Sequence, residues 1–108
     1  GWEYLAPQLE RLPRPLTVVL GFVNDKDTSH IFPLLPHDAY YIFTNADIPR
    51  ALPAKALAEA ASGEAYKGVA VAGVMNAYDR ALGTSPASIF IGGSTFVVAD
   101  LLKGLASR

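Results

Sequence analysis

The chain has 108 residues, 51% of them hydrophobic and 18% charged, with a formal net charge of -1 and no cysteine. This size makes one domain the default, with roughly two-thirds of the unfolded surface buried on folding, and the composition excludes a disordered chain. Near-neutral charge argues against nucleic acid or an anionic membrane as partner, and the absence of cysteine excludes a disulfide frame, a thiolate nucleophile and a cysteine zinc site.

No apolar run approaches the roughly 20 residues that a membrane-spanning helix needs, and no signal peptide is visible, so the expected location is cytoplasmic. Trp2, Leu5, Leu9 and Leu12 recur at helical spacing. Pro7 interrupts them, so it either stands near the first turn of a late helix or bends an early one. Pro13 and Pro15 end the element. Leu16 to Phe22 is the clearest buried strand, and it empties into the polar turn Val23 to Asp27. Asp27, Thr28 or Ser29 can cap a short helix from His30 to Leu35, which Pro36 stops. A second strand runs from Tyr40 to Thr44. After the loop Asn45 to Leu52, Pro53 opens an alanine-rich helix that ends near Gly63. Gly68 to Val71 is a weak third strand, and Val74, Ala77, Tyr78 and Ala81 form the face of a helix closed by Gly83. The last unit is a strand, Ser88 to Ile91, that passes through Gly92-Gly93-Ser94-Thr95 into a helix with Val97, Val98, Leu101, Leu102 and Leu105 at helical spacing.

Strands apolar on every residue are buried on both faces, which marks a parallel sheet covered by helices. Alternating strands and helices therefore predict an α/β fold, a Rossmann-like doubly wound and mainly parallel sheet with helices on both faces and right-handed crossovers. Strands are expected near 16–22, 39–44, 68–72 and 87–92. Such folds begin with a strand, and this chain begins with a helix. The simplest account is that residues 1–108 are one domain whose first strand has been cut away. A lost strand at the centre of the sheet would leave unpaired edges, which invite self-association.

Ligands of open α/β sheets collect at the carboxyl ends of the strands. Three turns there carry polar groups. Asp25-Lys26-Asp27 is either a solvated turn or a charge cluster facing a ligand. Arg50 is either a surface charge or a bidentate partner for a carboxylate. Gly92-Gly93-Ser94 is either a tight turn or an anion site, with Ser94 or Thr95 capping the helix and backbone N–H groups pointing outward. Lys26, Arg50 and Ser94 are thus placed to face one anionic ligand. His30 and His37 lack a third partner at metal spacing, so no metal ligand is expected. Tyr40 and Tyr41 read as sheet packing. Neither a phosphate loop nor a dinucleotide fingerprint is present.

Four stretches, in order, resemble the C-terminal domain of folylpolyglutamate synthase/dihydrofolate synthase, a member of the Mur ligase superfamily. They are Leu20-Gly21-Phe22 leading to Asp25-Lys26-Asp27, then Thr44 through Pro49-Arg50-Ala51-Leu52-Pro53-Ala54, then Gly73-Val74 with its helix, and Gly92-Gly93-Ser94-Thr95-Phe96-Val97-Val98. The resemblance implies an ATP-dependent ligase of folate biosynthesis and one-carbon metabolism. ATP phosphorylates a folate or dihydropteroate carboxylate, and the amine of glutamate attacks the acyl phosphate. It also implies that Lys26, Arg50 and Ser94 bind glutamate, with Asp25, Asp27, Asp47 and Phe96 nearby. Asp47-Ile48-Pro49-Arg50 is similar to a Mur-type Asp-Asn-Pro-Arg motif, from which it departs at Ile48. ATP and Mg2+ belong to the full-length enzyme, bound mostly outside this segment, and the folate or dihydropteroate site belongs to the missing N-terminal part. The segment alone is expected to be inactive. A Mur-type cell-wall amino-acid ligase domain is the alternative within the same architecture, and a free-standing binding or regulatory module like a response-regulator domain is the alternative outside it.

Overall fold

A computed structural model describes residues 1–108. Ten regular elements follow one another, six helical and four extended. Helix α1 (Trp2–Arg11) is continuous, with Pro7 inside it. Strands β1 (Leu16–Gly21), β2 (Tyr40–Phe43), β3 (Gly68–Ala70) and β4 (Ser88–Gly93) alternate with helices α2 (Ala54–Ser62), α3 (Val74–Leu82) and α4 (Thr95–Ala106). The helix expected over 30–35 is instead two single 3₁₀ turns, Thr28–His30 and Phe32–Leu34. Pro33, at the start of the second turn, and Pro36 lack the N–H groups that a longer α-helix there would need.

All pairings are parallel and the strand order is β3-β2-β1-β4. This is the doubly wound arrangement foreseen in the sequence. It is not the order of a response-regulator domain, where the first strand lies between the second and third. The sheet has no vacancy between its strands. The unpaired edges of the sheet are the outer sides of β3 and β4.

Strand alternation divides the core in two. Val18, Leu20, Tyr41 and Phe43 face one side and pack with Leu9 of α1, Leu57 and Ala61 of α2, and Phe32. Val19 and Ile42 face the other side, against Ala77 and Ala81 of α3. Val97 of α4 joins Val74 and Ala46 on that side. The helical stripe of α4 is only partly used. Val97 is fully buried, whereas Val98, Leu102 and Leu105 are 40%, 62% and 39% exposed. Thr17, the polar residue of β1, donates its hydroxyl to Thr84 at 2.9 Å, and Thr84 donates in turn to the Ala81 carbonyl.

Candidate functional site

The direction of chain travel reverses at β1. From β1 the chain moves outward to β2 and β3, then crosses back to place β4 on the other side. Such a switch point opens a crevice at the carboxyl ends of the strands, because the loops leaving the two adjacent strands diverge to opposite faces. A cleft of about 260 Å³ lies there, lined by Trp2, Phe22, Val23, Lys26, Arg50 and Gly93 to Phe96. Lys26, Arg50 and Ser94 follow three different strands, and one cavity brings them together.

Backbone bonds fix the two cationic loops to each other. Val23 and Ala51 form an antiparallel bridge. The Asn24 N–H donates to the Arg50 carbonyl at 2.7 Å, and the Leu52 N–H to the Phe22 carbonyl at 2.8 Å. A turn closed by the Lys26 N–H on the Val23 carbonyl, at 3.1 Å, sets the lysine position. On the opposite wall, Gly93 adopts φ 108°, and a Cβ there would meet the Gly21 carbonyl oxygen. Only glycine permits both the dihedral and that approach. The Ser94 N–H then reaches the Gly21 carbonyl at 2.9 Å, which seats the first turn of α4 against β1.

Ser94 is the N-cap, its Oγ accepting from the Val97 N–H at 3.3 Å. With that acceptance made, the hydroxyl proton remains available to donate into the cleft. The N-terminal end of a 12-residue helix adds partial positive charge at the same place. Lys26 and Arg50 contribute full charges. Asp25 approaches Arg50 at 3.8 Å, with both side chains more than half exposed. An ion pair so long and so wet holds Arg50 weakly, leaving its guanidinium free to turn to a ligand carboxylate. The cleft also has aromatic lining: Trp2, with its ring 5.9 Å from that of Phe22, Phe22 itself and Phe96. Such a site suits an anion with a short apolar part.

The remaining sequence candidates fall elsewhere or at the rim. Asp25 is at the rim, paired to Arg50. Asp27 caps the first 3₁₀ turn, its Oδ1 accepting from the Ser29 hydroxyl at 2.6 Å and the Ser29 N–H at 3.0 Å. These two bonds, the hydroxyl's first, hold its carboxyl below the usual carboxylate range. His30 stands 3.4 Å from its other oxygen. Asp47 is not in the cleft. Its N–H donates to the Asp100 carboxylate at 2.8 Å, and it lines a separate groove with Val74, Met75 and Lys103. Trp2, Phe22, Val23 and Thr95 line the cleft without having been singled out as site residues in the sequence. The period of α1 assigns Trp2 to a buried helical face, and nothing local reveals that this face ends beside Ser94. Nowhere do three or more His, Asp or Glu side chains converge as a metal site would require. No helix is long and apolar enough to cross a membrane.

No family model and no curated protein sequence matches the chain. Solved structures do. Folylpolyglutamate synthase/dihydrofolate synthase from Yersinia pestis, complexed with AMPPNP and a Mn ion, superposes with a TM-score of 0.81 at 21% identity over 97% of this chain. FolC from E. coli, in complexes with ADP with and without DHPP, gives a TM-score of 0.79 at 23% identity over 99% of the chain. The chain spans 26% of the length of each of these structures. The resemblance read from four short motifs thus meets a match in three dimensions, and residues 1–108 have the fold of about a quarter of folylpolyglutamate synthase/dihydrofolate synthase.

Proposed function

We propose that this chain is the C-terminal domain of an ATP-dependent ligase that joins glutamate to a folate or dihydropteroate carboxylate through an acyl phosphate. Lys26, Arg50 and Ser94 are the glutamate receptor in this reading. The observation that carries it is their convergence on one cleft at the switch point. Glutamate brings two carboxylates. Two cations, a hydroxyl donor and a helix N-terminus match their charge, and the aromatic lining accommodates the methylenes between them. The receptor leaves the α-amine to be presented outward, where it can attack an acyl phosphate held by the rest of the enzyme.

The donor set fits a carboxylate and not a divalent cation, since no three carboxylate or imidazole groups converge. No step of Mg2+ or of ATP is therefore assigned to these residues.

Each charge-assisted contact to a shielded carboxylate is worth about 1.5–3 kcal/mol. In the full-length enzyme, Lys26→Ala or Arg50→Ala should raise the KM for glutamate roughly ten- to a hundred-fold, with the KM for ATP little changed. Ser94→Ala should cost less, because one neutral donor is lost. Steady-state kinetics with glutamate and ATP varied in turn are the test. Unchanged glutamate kinetics in both charge variants would remove the receptor assignment.

A further inference from the structure

α4 is an apolar helix with one acidic residue, Asp100. Aspartate is a weak helix former in a helix interior, because its short side chain competes for nearby backbone groups. A negative charge near a helix N-terminus compensates for this only within the first turn. Asp100 is the sixth residue of α4, beyond that turn, and it caps nothing. Its partner is distant in sequence. The half-buried Asp100 carboxylate accepts the Asp47 N–H at 2.8 Å, across 53 positions of the chain.

Asp47 belongs to the loop 45–52, which carries Arg50. The turn that presents Arg50 is closed by the Ala51 N–H on the Ile48 carbonyl at 3.2 Å. Beyond it, the loop is tied to the Lys26 turn by the Val23–Ala51 bridge and by the Asn24 N–H on the Arg50 carbonyl. Before it, the loop rests on α4. Ala46 is buried with Val97 of α4 and Val74 of α3, and Ile48 and Leu101 pack on the same cluster. Apolar contacts of this kind have no preferred direction, whereas a hydrogen bond fixes both a distance and an angle. The bond to Asp100 is the one hydrogen bond between α4 and this loop. α4 starts from Ser94, on the far side of the cleft. One carboxylate thus links the helix that holds Ser94 to the loop that holds Arg50.

We propose that Asp100 is a positioning residue of the glutamate receptor, setting the span between Arg50 and Ser94 by pinning the Arg50 loop to α4. The role rests on the receptor reading of the cleft and goes beyond it. Asp100 lines a separate groove, with Asp47 and Lys103, and is absent from the lining of the cleft. It therefore acts through Arg50 and not on the ligand. Without its carboxylate the first half of the loop can slide on its apolar footing, and the guanidinium loses its fixed distance from the helix end. A dicarboxylate gripped at both ends is sensitive to that distance.

The experiment is steady-state kinetics of the full-length enzyme with glutamate and ATP varied in turn. Asp100→Ala puts a better helix former into α4, so the helix itself is not weakened. It is expected to raise the KM for glutamate about three- to ten-fold, as the loss of one hydrogen bond would, with the KM for ATP little changed. Asp100→Asn keeps an acceptor oxygen and should hold the glutamate KM within about two-fold of the unaltered enzyme. In an Arg50→Ala background, Asp100→Ala should add little, because the group it positions is gone. A normal glutamate KM in Asp100→Ala, beside raised values in Lys26→Ala and Arg50→Ala, overturns the proposal and leaves the receptor standing. So does an equal rise in Asp100→Asn, or a full rise that persists without Arg50. Normal glutamate kinetics in all three alanine variants would remove the receptor, and this role with it.

Discussion

At the scale of single residues, the part of the sheet beside the cleft contains one polar atom that nothing satisfies. Thr44, the residue after β2, is fully buried and its Oγ1 has no hydrogen-bond partner. A buried hydroxyl left unpaired costs about 1–3 kcal/mol, while its replacement by a methyl group of the same shape can be neutral or stabilising. Thr44→Val is therefore expected to leave the urea midpoint unchanged or to raise stability by up to about 1 kcal/mol. A loss larger than that would show that the hydroxyl is bonded in solution. Such single-residue features were the least legible in the sequence. Lys26, Arg50 and Ser94 could be named because each follows an apolar strand, and turns after such strands share one edge. Trp2 and Phe22 could not be, because an aromatic residue in an apolar pattern looks the same whether it meets the core or a cleft. Asp47 was drawn in by its place before Arg50, yet its backbone turns it toward Asp100 on the other side of the loop.

At the scale of elements, the segment between β1 and β2 is held by side chains rather than by helix propensity. The Tyr41 hydroxyl donates to the Pro36 carbonyl at 2.5 Å, and the Tyr66 hydroxyl lies against the carbonyls of Phe32 and Leu35. The Tyr66 ring stacks on His37 with centroids 4.2 Å apart. Arg14 closes the other end, donating to the Leu9 and Leu12 carbonyls at the end of α1 and to both oxygens of Asp38. Burial pushes both phenols above the usual tyrosine value, aided at Tyr41 by Tyr66 and at Tyr66 by Glu64. A raised pKa means the folded state holds its proton longer than the unfolded chain. Stability is thus full below about pH 10 and declines as pH climbs from there toward the folded-state values. Phenolate absorbance from Tyr41 and Tyr66 should appear together with loss of ellipticity, and Tyr66→Phe should reduce the alkaline loss. Phenolate formation in both with the fold intact would show that their burial is not tight. The same elements show where sequence pattern ends as a guide. Continuous apolar runs revealed β1, β2 and β4 within a residue or two. The 3₁₀ turns stayed hidden because their fixing contacts come from Tyr41 and Tyr66, which act across the chain and not along it.

For the whole molecule, the strand order was the part the sequence could not supply. Alternating elements imply a parallel sheet, but which strands become neighbours depends on packing between distant segments. A chain spanning 26% of the matched structures, with no phosphate loop in its sequence and no converging metal ligands, should not handle nucleotide alone. Calorimetric titration of residues 1–108 with ATP and Mg2+ is expected to show no saturable binding at micromolar concentration and no turnover. A saturating site in that range would mean that the nucleotide is held by residues named here. The pairing of β1 with β4, from Leu16–Ser88 to Gly21–Gly93, has a further consequence, for synthesis. The earliest strand of the chain finds one of its two neighbours only in the latest. Long-range pairings of this kind slow folding, because the intervening loop must close before its contacts are gained. As the polypeptide leaves the ribosome, β1 to β3 can assemble while the flank of β1 stays bare. Lys26 and Arg50 are then in place well before Ser94 exists to face them. The cleft closes only when β4 and α4 have emerged, so a nascent or prematurely ended chain carries both cations and no cleft.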